Sequence, residues 1–260
     1  MELGLKGKIA VITGGSKGIG LATALLLAAE GAEIAIVARE EESLRSAAEQ
    51  IKERTGKEVL AISADVSRPE DVTRAVEQTI ERFGGVNILV NNAGTSAAKP
   101  FDQVETDAWT ADLDLKLLGA VHFARAVLPH MRKAGGGAIV NVTAIGGKTP
   151  GASSLPTSVS RAAGLALTKA MSKDLAADQI RVNAVCIGLI RSAQIERMWQ
   201  AKAPELSWDE FAADKSHGIP LGRIGNAQEA ANVIGFLVSE AASFVTGTSV
   251  NIDGGISAVL

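Results

Sequence analysis

No tyrosine occurs anywhere in the 260 residues, so no phenol is available as a proton donor or acceptor. Cysteine occurs once, at Cys186. That excludes an internal disulfide, and its apolar neighbours point to a buried structural thiol. His122, His130 and His217 have no metal-ligand spacing with one another or with Cys186, so no metal is expected. Basic charge is not in excess: 26 Lys and Arg against 29 Asp and Glu give a net charge of −3, which argues against nucleic-acid or anionic-membrane partners. No apolar run reaches the roughly 18 residues a membrane span needs. Residues 1–8 lack the apolar core of a signal peptide. The expectation is a soluble, cytoplasmic chain.

Apolar residues are plentiful, at 47%, enough for a sizeable core in one α/β domain of roughly 250 residues. The chain is organised around residues 9–20. Residues 9–13 have buried-strand character, glycines follow at 14, 15, 18 and 20, and residues 21–30 read as an Ala/Leu helix. In such a strand, turn and helix the glycines allow a sharp bend and close approach to a pyrophosphate. Free N–H groups at the helix N-terminus then stabilise its charge. Apolar runs at 33–37, 59–63, 87–91, 138–143, 181–186 and 249–252 alternate with helical patterns at 41–55, 69–83, 107–134, 158–177, 193–213 and 227–239. Ser67 is positioned to cap the 69–83 helix, and Gly84 with Gly85 to stop it. This alternation predicts a single-domain, doubly wound parallel sheet of Rossmann-like type over residues 1–260, with helices on both faces and ligands at the C-terminal ends of the strands.

A second nucleotide signal lies at the end of the second strand. An acidic residue there bonds a ribose 2′-OH, whereas a basic one accommodates a 2′-phosphate. Here Val37 and Ala38 lead into Arg39, and Lys17 in the glycine turn adds a second positive charge. The pair predicts NADP(H), with Glu40, Glu41 and Glu42 as a partial offset.

The spacing Thr13-Gly14-x-x-x-Gly18-x-Gly20 resembles the short-chain dehydrogenase/reductase family, and other motifs extend the resemblance over nearly the whole chain. Asp65-Val66 resembles the family's adenine contact, and Asn91-Asn92-Ala93-Gly94 its sheet-stabilising Asn-Asn-Ala-Gly. Ile187-Gly188 followed by Ser192 resembles the Pro-Gly and Thr that face the nicotinamide, with the proline replaced. Asp253-Gly254-Gly255 resembles its closing Asp-Gly-Gly. The resemblance implies cofactor contacts at Gly14, Ser16, Lys17, Gly18, Ile19, Gly20, Arg39, Asp65, Val66, Asn92, Ala93, Gly94, Arg161, Gly188, Ile190 and Ser192. It also implies a substrate-covering segment at about 190–220. A homotetramer is implied too, built on the helices at 107–134 and 158–177 and on the apolar C-terminal residues 256–260.

The catalytic pattern departs from the family. Its chemistry uses a Tyr, a Lys four residues later, a Ser thirteen residues earlier and an Asn on the preceding helix. Matching separations put Ala144 at the Ser position, Thr157 at the Tyr position and Arg161 at the Lys position. Counting from Trp109 to Gly119 puts Lys116 at the Asn position. An aliphatic alcohol is a far weaker acid than a phenol of pKa about 10. Arg161 stays protonated but can still hydrogen-bond a nicotinamide ribose. Ala144 offers no donor. Lys116 is the one gain of titratable chemistry, as acid, base or amine nucleophile. The candidate catalytic residues are therefore Lys116, Thr157 and Arg161.

Plainer roles compete with these. Lys116 also fits a solvated or ion-paired lysine beside Asp112 or Asp114, and Thr157 a helix cap. Ser158 and Ser160 fit local backbone partners. Met198, Trp199 and Trp208 fit either substrate walls or core packing. Three functions follow. One is an NADP(H)-dependent oxidoreductase on a small carbonyl or alcohol with a rearranged proton relay, which is the reading favoured here. Another is a catalytically silent NADP(H)-binding scaffold or sensor. The third is a non-redox, lysine-assisted enzyme.

Overall fold

The computed structural model describes residues 2–260. Seven parallel strands form one sheet: β1 (Ile9–Thr13), β2 (Glu33–Ala38), β3 (Leu60–Ser63), β4 (Ile88–Asn91), β5 (Gly137–Ala144), β6 (Ile180–Ile187) and β7 (Ser249–Ile252). Their spatial order is β3-β2-β1-β4-β5-β6-β7. The order reverses between β1 and β4, and the strands there are short apolar runs because both faces are covered. Ala10 and Ile12 pack on one face with α1 (Gly18–Ala29), α2 (Glu41–Thr55) and α9 (Ala227–Val238). Val11 packs on the other with α3 (Pro69–Phe83) and α5 (Gly119–Lys133). The doubly wound expectation holds.

Three local expectations are corrected. The helix expected at 107–134 is α4 (Thr106–Leu113), a π-helical turn (Asp114–Leu118) and α5 in succession. A π-turn widens the helix by one residue and re-aims the side chains on it. The helical stretch expected at 193–213 is split into α7 (Ala193–Lys202) and α8 (Trp208–Ala212). Pro204 keeps Ala203 out of the helical region, at φ −149° and ψ 56°, and Ser207 with Glu210 builds a capping box that starts α8. Ser67 does not cap α3, because its hydroxyl donates to the Asp65 carboxylate at 2.7 Å.

Gly119, which opens α5, sets how closely that helix meets the end of β3. A Cβ there would lie 2.8 Å from Val66 Cγ2, too close for any larger residue. Val66 and Gly119 border one cavity with Leu115 and Lys116 of the π-turn. The last helix of the site is α6 (Thr157–Asp174), slightly shorter than the expected 158–177.

Candidate active site

The turn after β1 is held from both sides. Thr13 Oγ1 accepts the Asn92 and Ala93 amides at 3.0 Å each, and the Asn92 side-chain amide donates to the carbonyls of Thr13 and Gly14 at 3.0 and 3.1 Å. Gly14 has φ +63°, and a Cβ at Gly20 would fall 2.2 Å from the Gly14 carbonyl oxygen. Only glycine lets the loop fold back on the first turn of α1 in this way. Lys17 is the N-cap of α1: its carbonyl accepts the Leu21 amide at 3.3 Å, and its side chain makes no cap bond to the N–H groups before that.

Beside this turn runs a groove of about 250 Å³, bordered by Gly14, Lys17, Arg39, Asp65, Ala93 and Gly94, with Ser16 and Val66 also on its wall. Gly18 and Ser192 face an adjoining recess next to Lys17. Other expected contacts sit behind the groove. Ile19 and Ile190 are core side chains, and Gly188 is where Asp253 crosses, since a Cβ there would lie 2.8 Å from Asp253 Cβ. The two cations differ in state. Lys17 donates to Glu40 at 3.1 Å, and Glu40 is held below its usual pKa by the Ser43 hydroxyl and then by Lys17. Arg39 is exposed, and no ion pair among the described residues includes it.

A second group of polar residues lies where the π-turn meets α6. Lys116 projects inward from the turn, with its side chain 0% exposed, so the solvated reading of this lysine is excluded. Its ammonium donates to Asp112 Oδ1 one turn earlier and to Thr157 Oγ1 at 3.1 Å. Asp112 rather than Asp114 is its counterion. Thr157 is the first residue of α6 but not its cap: its oxygen also accepts the Ala97 amide at 2.9 Å. Reciprocal backbone bonds between Lys99 and Leu155, 2.8 and 3.3 Å, tie the two loops together and fix that contact. Ser160, one turn into α6, directs its single O–H to Asp112 Oδ2 at 2.6 Å, with the Thr157 carbonyl 3.0 Å from the same hydroxyl oxygen.

Arg161 lies in the same layer. Its Nη1 donates to the Val142 carbonyl at 2.7 Å, and its Nη2 lies 3.0 Å from where a Cβ of Gly94 would stand. Burial pushes the Lys116 ammonium below the usual lysine range, with Arg161 adding to that and Asp112 opposing it. Burial also lowers Arg161, though a guanidinium stays protonated in proteins. Arg161 Nε and Asn91 Oδ1 are buried with no hydrogen-bond partner among the described residues. Both residues border one cavity of about 20 Å³. Ala144 ends β5 and contributes no polar side-chain atom.

Met198, Trp199 and Trp208 are half-buried in a separate small core with Ile195, Phe211 and Ile224. Trp199 meets Trp208 edge-on at 5.7 Å and donates its ring N–H to the Leu206 carbonyl at 3.0 Å. The packing role is thus the one seen. Cys186 is buried and free. No cluster of three or more metal-binding side chains occurs among the described residues, and no described helix is long and apolar enough to cross a membrane. Sequence reasoning missed the Ala97 amide, the Ser160 contact and the cavity. The i,i+4 spacing of Asp112 and Lys116 and the grouping of Lys116, Thr157 and Arg161 were visible beforehand.

Known proteins resemble this chain end to end. A family model described as enoyl-(acyl carrier protein) reductase matches residues 14–257. The 3-oxoacyl-(acyl-carrier-protein) reductase FabG of Thermotoga maritima is 34% identical over 252 residues, covering 97% of this chain and 98% of that one. L-sorbose reductase of Gluconobacter frateurii, solved with NADPH and L-sorbose, superposes with a TM-score of 0.93 at 36% identity over 100% of both chains. A short chain oxidoreductase of Pseudomonas aeruginosa PAO1, described as containing an atypical catalytic center, is also 36% identical. Its apo form superposes with a TM-score of 0.95 over 99% of this chain and 100% of that one. Its NADPH-bound form does so with 0.92 over 97% and 98%.

Proposed function

Because the chain belongs to the short-chain dehydrogenase/reductase family, we propose that it is an NADP(H)-dependent oxidoreductase acting on a small carbonyl or alcohol through a relay built on Lys116 and Thr157. The observation that carries this reading is the buried Lys116 ammonium hydrogen-bonded to Thr157 at 3.1 Å.

NADP(H) fits the residues present. Gly14, Ser16 and Lys17 of the glycine turn border the groove, glycines at 14 and 20 allow the tight fold that a Cβ against Asn92 or the Gly14 carbonyl would prevent, and Arg39 stands free at the end of β2, where a 2′-phosphate needs a donor fork. Two solved relatives contain NADPH. Gly14, Ser16, Lys17, Arg39, Asp65, Val66, Ala93 and Gly94 would hold the cofactor along the groove, with Arg161 toward the nicotinamide end. When bound, it supplies or accepts the hydride.

This chain's residues then have to move one proton. In the family's pattern Ala144, Thr157, Arg161 and Lys116 stand where Ser, Tyr, Lys and Asn are expected. Thr157 Oγ1 already accepts from Ala97 and Lys116, so its own O–H is the bond left to donate. During carbonyl reduction that hydrogen passes to the substrate oxygen while Lys116 returns one to Thr157. The oxygen thus gains its proton without a free alkoxide on Thr157, and Lys116 is left as an amine beside Asp112. Oxidation runs the same transfers backwards. Arg161 supplies fixed positive charge and relays nothing.

Engagement of Lys116 by Asp112 and Thr157 disfavours a nucleophilic amine, and with it the non-redox reading. The silent binding role draws on the same buried ion pair, which would hold the fold together without turning over. Turnover separates them. NADPH oxidation, followed spectrophotometrically against a panel that includes a ketose such as L-sorbose and a 3-oxoacyl substrate, is expected to reveal a reducible carbonyl. Binding of NADPH with no oxidation across the panel would favour the silent role.

A further inference from the structure

The ion pair behind Thr157 contains a carboxylate that the relay does not itself consume. We infer that Asp112 is a positioning residue for the reaction: a buried carboxylate of α4, clamped by partners on the π-turn and α6, that keeps the Lys116 ammonium charged and aimed at Thr157. This rests on the Lys116–Thr157 reading and extends it.

Four observations converge. Asp112 has a side chain only 3% exposed, and an ionised carboxylate that deep needs partners for both oxygens. Both have them: Oδ1 accepts from Lys116 and Oδ2 from Ser160 at 2.6 Å. The partners come from different elements, Lys116 from the π-turn and Ser160 from α6, so the carboxylate fixes the ammonium relative to the helix that carries Thr157. The Thr157 carbonyl lies 3.0 Å from the same Ser160 hydroxyl, which places the carboxylate's partner next to the residue whose oxygen Lys116 addresses.

The charge balance gives the carboxylate its second task. The charged groups facing Lys116 are Asp112 from α4 and Arg161 from α6. Arg161 in turn faces Cys186 from β6, and the remaining polar walls of the adjoining cavity, Thr13, Asn91, Asn141, Thr143 and Ser160, are neutral. Without Asp112, two buried cations would stand together with nothing to offset them. The lysine would then release its proton and lose its donor role. A protein that needed only a filled core could place an apolar pair here at no loss of stability.

The test compares wild type with Asp112→Asn, which keeps shape and hydrogen-bonding capacity but removes the charge. Asp112→Ser is a second neutral variant should the first fold poorly. Protein labelled with 13C at lysine Cε reports the Lys116 titration, assigned by its loss in Lys116→Met. The midpoint is expected to fall by about 1–3 pH units in either neutral variant. The alkaline limb of kcat for carbonyl reduction should move down by the same amount, with KM and the NADPH dissociation constant unchanged. An unmoved midpoint and an unmoved limb in folded protein would overturn the inference. A moved midpoint together with a Lys116→Met enzyme of full rate would sustain the clamp and overturn the relay instead.

Discussion

Arg39 and Lys17 carry like charge beside one groove, yet they are not equivalent donors. Lys17 must leave Glu40 before it can meet a phosphate, whereas Arg39 has no such partner to leave. Arg39→Ala should therefore remove most of the preference for NADP(H) over NAD(H), about 1.5–3 kcal/mol or roughly ten- to a hundred-fold for a charge-assisted contact. Glu40→Gln should tighten NADP(H), most visibly at low salt. Titration calorimetry with both cofactors checks each, and equal dissociation constants in the wild type would contradict the assignment. Arg161 Nε and Asn91 Oδ1 give a second expectation at this scale. One is a donor and the other an acceptor, and their shared cavity of about 20 Å³ exceeds the roughly 10–15 Å³ that one water needs. A high-resolution crystal structure should show an ordered water bridging them, and an empty cavity would contradict this. Neither atom's isolation could be read from sequence, because it depends on which side chains fail to arrive.

The π-turn is the element on which the candidate site depends most. Apolar periodicity marks residues 107–134 as helical, but a widened turn leaves the pattern nearly unchanged while rotating everything beyond it. That is why the π-turn itself was not legible, although the i,i+4 relation of Lys116 to Asp112 was. The turn is seated by Gly119 against Val66. Gly119→Ala should cost about 1–3 kcal/mol of stability through overpacking. It should also lower turnover, because relief of the contact displaces the turn that holds Lys116. Urea unfolding and steady-state rates measure the two effects, and an alanine variant of unchanged stability and rate would show that the seat does not matter. The split between α7 and α8 was missed for a simpler reason. Pro204 sits inside an otherwise helical stretch and was not weighed as its breaker.

At the scale of the whole molecule, the parallel sheet and its two helical layers were legible because short apolar runs alternate with helical patterns along the chain, whereas the order of the strands is set by long-range pairing and is seen only in the structure. The cofactor groove followed from the same reading, since it lies where the sheet order reverses. Assembly is a separate expectation. Val259 and Leu260 are exposed apolar residues, and α5 and α6 lie in the stretches to which the resemblance assigns the family's other contact. A homotetramer is expected in solution. Light scattering should report four times the 26.8 kDa chain mass, and a monomer at all concentrations would contradict it.

The central claim is that Lys116 delivers the proton through Thr157. Its most direct test is single-turnover NADPH oxidation by Lys116→Met on a carbonyl that the wild type reduces, with the NADPH dissociation constant measured in parallel. Loss of positioned general acid catalysis predicts a rate lower by about 10²–10⁴-fold with cofactor affinity unchanged. An undiminished rate in the folded variant would contradict the account.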